Sequence, residues 1–230
     1  MGTDVSVVIA YRDMGCEYRR ASFHYVKAWY EAAGFEVVVE SGSSDASFTR
    51  ASAINTAIGR ASGRVIVQSD PDSLVPLTTL RHAIDLAAMP YSPMVIPHSE
   101  YLYASPDWTS SILSGEAEIW DTAECDCETY GYGGSGNVVV FTRALWELAD
   151  RFDERFGLWG GDDAAFRYVC EALRGPAERL VGPMVHLWHP RLPQSEPGHP
   201  KYIEQFALLA QYRDAAAIGP HAVLRLNESR

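Results

Sequence analysis

The chain has 230 residues, 47% of them hydrophobic and 21% charged, with a formal net charge of −11. That length supports one sizeable core, and that acidity argues against a broad phosphate-tracking surface of the kind nucleic acid requires, leaving only a local basic groove open. No stretch approaches the ~20 apolar residues of a membrane helix, no signal peptide is visible at the N-terminus, and Cys16, Cys125, Cys127 and Cys170 fit neither a zinc nor a disulfide pattern. A reduced, cytoplasmic setting is therefore expected.

In chain order, Asp4–Ala10 reads as a buried, β-branched first strand. A helix follows over Arg19–Ala33, with Phe23, Val26, Trp29 and Tyr30 at helical spacing and Gly34 as its stop. Phe35–Glu40 is a second strand, Phe48–Ala61 a second helix, Val65–Gln68 a third strand and Leu77–Met89 a third helix. That alternation predicts an α/β fold with right-handed crossovers and a mostly parallel central sheet. Met94–Pro97 suggests another strand. Tyr101–Tyr132 has no clear period and is expected to be a long surface excursion that helps form an acceptor site. Beyond it come a strand at Asn137–Phe141, helices at Arg143–Arg151 and Asp162–Leu173, a strand at Met184–Trp188, a proline-rich loop over 190–200 and a last helix at Tyr202–Ala217.

Three constellations carry chemistry. Ser69-Asp70-Pro71-Asp72 follows a strand, so two carboxylates one residue apart can converge on a hard cation, magnesium or manganese, that leaves positions open for phosphate oxygens. Sheets of this kind bind ligands at the carboxyl ends of their strands, where Asp70 and Asp72 fall. Trp159-Gly160-Gly161-Asp162-Asp163 opens a helix with paired acids, beside an aromatic ring that can stack on a sugar while one acid takes a hydroxyl proton. His186 and His189 supply candidate imidazole ligands; three residues apart on a strand, they would point to opposite faces, so that only one reaches the metal.

The ordered set resembles nucleotide-sugar glycosyltransferases of the GT-A fold, including family-2-like enzymes. Val5–Arg12, Phe48–Ala57 and Ser69–Asp72 are similar to the N-terminal half of these enzymes; Tyr132-Gly133-Gly134-Ser135 followed by Trp159–Asp163 resembles the C-terminal half of the β-1,4-galactosyltransferases and of polypeptide N-acetylgalactosaminyltransferases. The resemblance implies a single Rossmann-like GT-A domain over 1–230. Its nucleotide-sugar half would lie at about 1–97, an acceptor and catalytic half at 98–190, and a terminal loop and helix at 191–230. It also implies a hexosyltransferase using a nucleotide sugar, UDP-linked by expectation, with Mn2+ or Mg2+.

Carried over by position, Ala10, Tyr11, Arg12 and Glu40 would hold the nucleoside, with Arg50, Asn55, Gly134 and Trp159 around the donor. Asp70 serves both diphosphate and metal, joined by Asp72 and by His186 or His189. Asp163 aligns with the base of inverting members and Asp162 with its acceptor-holding neighbour. Departures occur at Asp162 (usually Glu), Ala164 (usually an acid) and Ala10 (commonly Pro). The acceptor would be a glycan, a protein or another hydroxyl. A retaining enzyme of the N-acetylgalactosaminyltransferase type, a sugar-phosphate nucleotidyltransferase and a non-catalytic carbohydrate-binding module are the alternatives. The second wants a basic Gly-rich loop after the first strand, and Tyr11–Gly15 offers one arginine and one glycine.

Overall fold

The computed structural model describes residues 4–41, 49–121, 127–130 (backbone), 136–157, 160–191, 193 and 196–228. The first half runs β1 (Val5–Tyr11), α1 (Glu17–Ala32), β2 (Glu36–Ser41), α2 (Arg50–Arg60), β3 (Val65–Ser69), β4 (Ser73–Leu74), α3 (Leu77–Ala87), β5 (Val95–Ile96), β6 (Glu100–Ala104) and α4 (Pro106–Ser114). The second runs β7 (Cys127–Tyr130), β8 (Val138–Thr142), α5 (Arg143–Leu148), α6 (Asp162–Arg174), β9 (Glu178–Arg179), β10 (Pro183–His186), α7 (Pro200–Ile218) and α8 (Pro220–Glu228).

Six strands form the central sheet in the order β2-β1-β3-β8-β5-β9. Strand β8 pairs antiparallel with both β3 and β5, while the other pairings are parallel, so the sheet is mostly parallel as expected. The strand period of two divides its side chains between two helical layers. Val7, Ile9, Val65 and Val67 meet Phe23, Val26 and Tyr30 of α1 and Leu80 and Ile84 of α3 on one face. Val8, Ile66 and Phe141 meet Ile54 and Ile58 of α2 and Phe166 and Val169 of α6 on the other. Helix ends are closed by specific partners. The Thr49 hydroxyl caps α2, and the Arg143 guanidinium donates to the carbonyls of Ile58 in its last turn and of Ala61 and Gly63 just beyond it.

A second, four-stranded sheet, β4-β10-β6-β7, stands beside the first. It replaces much of the irregular excursion expected over Tyr101–Tyr132, where β6, α4 and β7 form instead. Their short lengths hide a period, yet local signals are present: Ser105 caps α4, Pro106 occupies its first turn and Gly115 ends it in the left-handed region. The two-residue strands β4 and β9 and helix α8 were likewise not predicted. The terminal region thus holds two helices, and α8 is pinned back by Asn227, whose Nδ2 donates to the Ala149 carbonyl at 2.8 Å.

Candidate functional site

Strand β3 ends at Ser69, and the chain turns sharply through Asp70-Pro71-Asp72 into β4. Asn137 holds this turn. Its carbonyl accepts from the Asp70 N–H at 2.6 Å, and its side-chain Nδ2 donates to Ser73 Oγ at 3.0 Å. Asn137 reaches both only by adopting a positive φ of 71°, a conformation asparagine tolerates better than most residues.

The antiparallel pairing of β4 with β10 sets Ser73 opposite His186, and the Leu187 N–H donates to the Asp72 carbonyl at 2.8 Å. Register alone therefore brings the second aspartate of the turn to the histidines. Beyond His186 the strand stops, which corrects the expectation of opposite faces: the chain bends and both rings converge. His186 Nε2 lies 3.6 Å from Asp72 Oδ1 and His189 Nε2 lies 3.1 Å from Asp72 Oδ2. Ligand atoms of Asp72, His186 and His189 all fall within 4.8 Å of one another, the one such group among the described residues.

Asp72 is buried at 4% exposure, and although burial opposes it, the two imidazoles hold its carboxyl well below the usual range. Burial pushes His186 down against the pull of Asp72; at His189 burial also opposes the charge, but the hydrogen bond and the charge of Asp72, with the Pro190 carbonyl, together outweigh it and raise the ring. Magnesium takes oxygen ligands and suits this set poorly, whereas one carboxylate and two imidazoles can hold a manganese ion with positions left for phosphate oxygens. The donor set fits that cation.

Asp70 is placed differently. Its Oδ1 accepts from Arg50 Nη2 at 2.5 Å and Nε at 3.1 Å, and it is absent from the three-ligand group. Arg50 Nη1 meanwhile donates to Asp162 Oδ2 at 2.5 Å. The guanidinium thus ties the end of β3 to the start of α6, with both acids as counter-ions rather than a donor group on its far side. Asp163 is left outside this ion pair. Burial first, then the neighbouring Asp162 charge, push its carboxyl up to about 6, within the range of a general base at neutral pH. Gly136 makes room for it, since a Cβ there would overlap Asp163 Oδ2. Gly136→Ala is accordingly expected to displace that carboxylate and cut turnover while the melting temperature moves little, a pair of readings that steady-state kinetics and calorimetry supply.

The remaining candidates divide. Ala10 and Tyr11 end β1 at the same sheet edge, with the Tyr11 ring stacked on Phe23 at 3.9 Å, and Arg12 follows them half-buried. Glu40 pairs with Arg60 at the end of α2. Asn55, expected near the donor, is instead committed inside the fold. Its Oδ1 accepts from Trp146 Nε1 and the Phe152 N–H, and its Nδ2 donates to the Phe152 carbonyl and Glu154. Asn55→Ala should therefore cost about 2–4 kcal/mol of stability by stranding buried donors, as urea unfolding would read. Gly134 and Trp159 lie outside the described residues. Sequence reasoning missed Asn137, Gly136 and the β6 ring Tyr103, whose centroid is 4.9 Å from that of His186. Asn137 carried a signal in its place between a glycine-rich run and a strand; Tyr103 carried none.

These features define the fold: a mixed α/β sheet of the glycosyltransferase GT-A type, with Asp70 at the carboxyl end of β3 and Asp72, His186 and His189 where β4 meets β10 in the second sheet. No protein-family model matches the chain, and neither does any curated protein sequence. Among solved structures, the catalytic domain of Drosophila β-1,4-galactosyltransferase 7 in complex with xylobiose is similar at 17% identity and TM-score 0.53, covering 88% of this chain and 79% of that one. A mutant of the same enzyme, in complex with manganese, UDP-Gal and xylobiose, aligns at 16% identity and TM-score 0.52 over 86% of this chain and 78% of that one. A mannosyltransferase from Pyrobaculum calidifontis, in complex with GDP-Man and Mn2+, aligns at 18% identity and TM-score 0.54, covering 99% and 69%. Among the described residues no helix is long and apolar enough to cross a membrane.

Proposed function

We propose that this chain is a metal-dependent glycosyltransferase that moves a sugar from a nucleotide sugar to an acceptor hydroxyl with inversion. The observation that carries the reading is the Asp72–His186–His189 group standing two residues from Asp70, which Arg50 ties to Asp162 at the start of α6, next to Asp163, an acid with no ion-pair partner among the described residues. The donor-bound neighbours, holding manganese with UDP-Gal and Mn2+ with GDP-Man, support it by likeness of fold.

Asp72, His186 and His189 would hold Mn2+, which when bound supplies Lewis-acid neutralisation of the leaving diphosphate. Ala10, Tyr11 and Arg12, at the carboxyl end of β1, would hold the nucleoside, and a uridine diphosphate sugar is the first donor to test. Arg50 pairs with Asp162 and fixes its place, and Asp162 orients the acceptor. Asp163 takes the proton from the acceptor hydroxyl as its oxygen attacks the anomeric carbon. Because that carboxyl titrates near 6 and acts in its deprotonated form, turnover should climb as pH rises through about 6 and level off above it. A glycan is the favoured acceptor class, and the free thiols of Cys16 and Cys170 accord with a reducing, cytoplasmic setting. The test is a panel of nucleotide sugars assayed for Mn2+-dependent release of nucleoside diphosphate, with the product anomer read by proton NMR. No release from any donor would overturn the reading, and a retained anomer would overturn the role of Asp163.

A further inference from the structure

Strand β8 begins at Val138, one residue after Asn137, and Val138 stands opposite Ser69 at the end of β3. Asn137 is thereby left beside the turn that carries Asp72. The Asp70 N–H reaches its carbonyl at 2.6 Å, which extends the ladder by one bond and fixes the entry of the turn. Its side chain makes a second hold at the exit. Nδ2 lies 3.0 Å from Ser73 Oγ, and that oxygen lies 3.3 Å from Asp72 Oδ1.

Ser73 is fully buried, so bulk water supplies neither partner of its hydroxyl. A hydroxyl has one proton, and a carboxylate at neutral pH can only accept. The proton therefore goes to Asp72, and the lone pairs of the oxygen receive the Asn137 N–H. Asn137 donates to Ser73 and Ser73 donates to Asp72. Oδ1 is also the oxygen that faces His186, at 3.6 Å, while Oδ2 faces His189. A hold on Oδ1 thus sets the rotation of the carboxylate that the two rings share. Both holds require the positive φ of 71° at Asn137, where a bulky residue would be strained and an apolar one could donate nothing.

We infer that Asn137 is a positioning residue for the cation site: through Ser73 it fixes the Asp72 carboxylate in the rotation that aims an oxygen at the ion. Hydrogen bonds to metal ligands are worth roughly ten- to a hundredfold in metal affinity. This role rests on the metal-dependent reading above.

The test is Mn2+ binding at pH 8, followed by loss of the free ion's electron paramagnetic resonance signal, with melting temperatures measured alongside. It takes wild type, Ser73→Ala, Asn137→Gly, the double variant and Asn55→Ala. Glycine is chosen at 137 because it adopts a positive φ freely and keeps the carbonyl bond to Asp70. Ser73→Ala should weaken Mn2+ binding about tenfold. Asn137→Gly should weaken it several-fold, and the double variant should be no weaker than Ser73→Ala, because the two residues act in series. Asn55→Ala, which strands buried groups around Trp146 and Phe152, should lower the melting temperature with Mn2+ affinity unchanged. Additive losses, unchanged affinity in either single variant, or affinity that falls with stability in Asn55→Ala overturns the proposal. If Asn137→Gly misfolds, Asn137→Asp stands in. It reverses the hydrogen bond and draws the Ser73 proton from Asp72, so Mn2+ should bind more weakly despite the added negative charge; tighter binding overturns the relay. Wild type that takes up no Mn2+ overturns the metal site and the relay together, whereas equal uptake by wild type and variants overturns the relay alone.

Discussion

Asp163→Asn should lower turnover by roughly a hundred- to ten-thousand-fold, the usual loss on removing a general base, while donor affinity stays near wild type. The structure adds a second expectation with the opposite sign. A carboxyl raised by burial and by a neighbouring acid is destabilising when ionised. Its folded pKa lies above the unfolded one, so the ionised form weakens the fold increasingly as pH rises from the unfolded value through about 6. Asparagine removes that charge. The variant should therefore melt higher than wild type at pH 8 and show little difference at pH 4. An inactive protein that is also more stable marks strain kept for chemistry; lower stability at both pH values would make Asp163 a structural acid.

Asp72→Ala should abolish Mn2+ binding, and the large effect follows from geometry rather than from charge alone. Asp72 lies within reach of both imidazoles, so its removal separates His186 from His189 as well as deleting a ligand. His186→Ala and His189→Ala should each weaken Mn2+ binding to a comparable degree. Asp70→Asn should act otherwise, because Asp70 is the counter-ion of Arg50; its loss should appear chiefly in stability and in the placing of Asp162. Calorimetry with Mn2+ against all four variants checks the set, and retained Mn2+ affinity in Asp72→Ala would refute the site.

Much of the fold was legible because β1, β2 and β3 are continuous β-branched runs separated by helices with ordinary stop signals. What escaped were the two-residue strands β4 and β9, which offer no period, and β6, whose alternation is too short to stand out. Among the candidate residues, Asp72 stood out by its spacing from Asp70 after a strand, and Asp162 and Asp163 by their place at a helix start after two glycines. The approach of His189 was not, because it depends on where β10 stops, which the pairing with β4 and the Leu187–Asp72 hydrogen bond decide. Asn55 misled for a related reason. A polar residue on an otherwise apolar helix face looks like a ligand contact until the loop that consumes its hydrogen bonds is seen.

The joining of β4 to β10 also has a kinetic side. Asp72 and the two histidines come from opposite halves of the sequence, so the candidate cation site cannot form in a chain that has completed only its first strands and helices. Long-range pairings of this kind form late, since loop closure must be met before contacts reward it. Mn2+ uptake during refolding would then trail the recovery of helical circular dichroism, making the ion a reporter of the final docking step. At a concentration about a hundred times its dissociation constant it would also hold the finished chain together by about 2.7 kcal/mol.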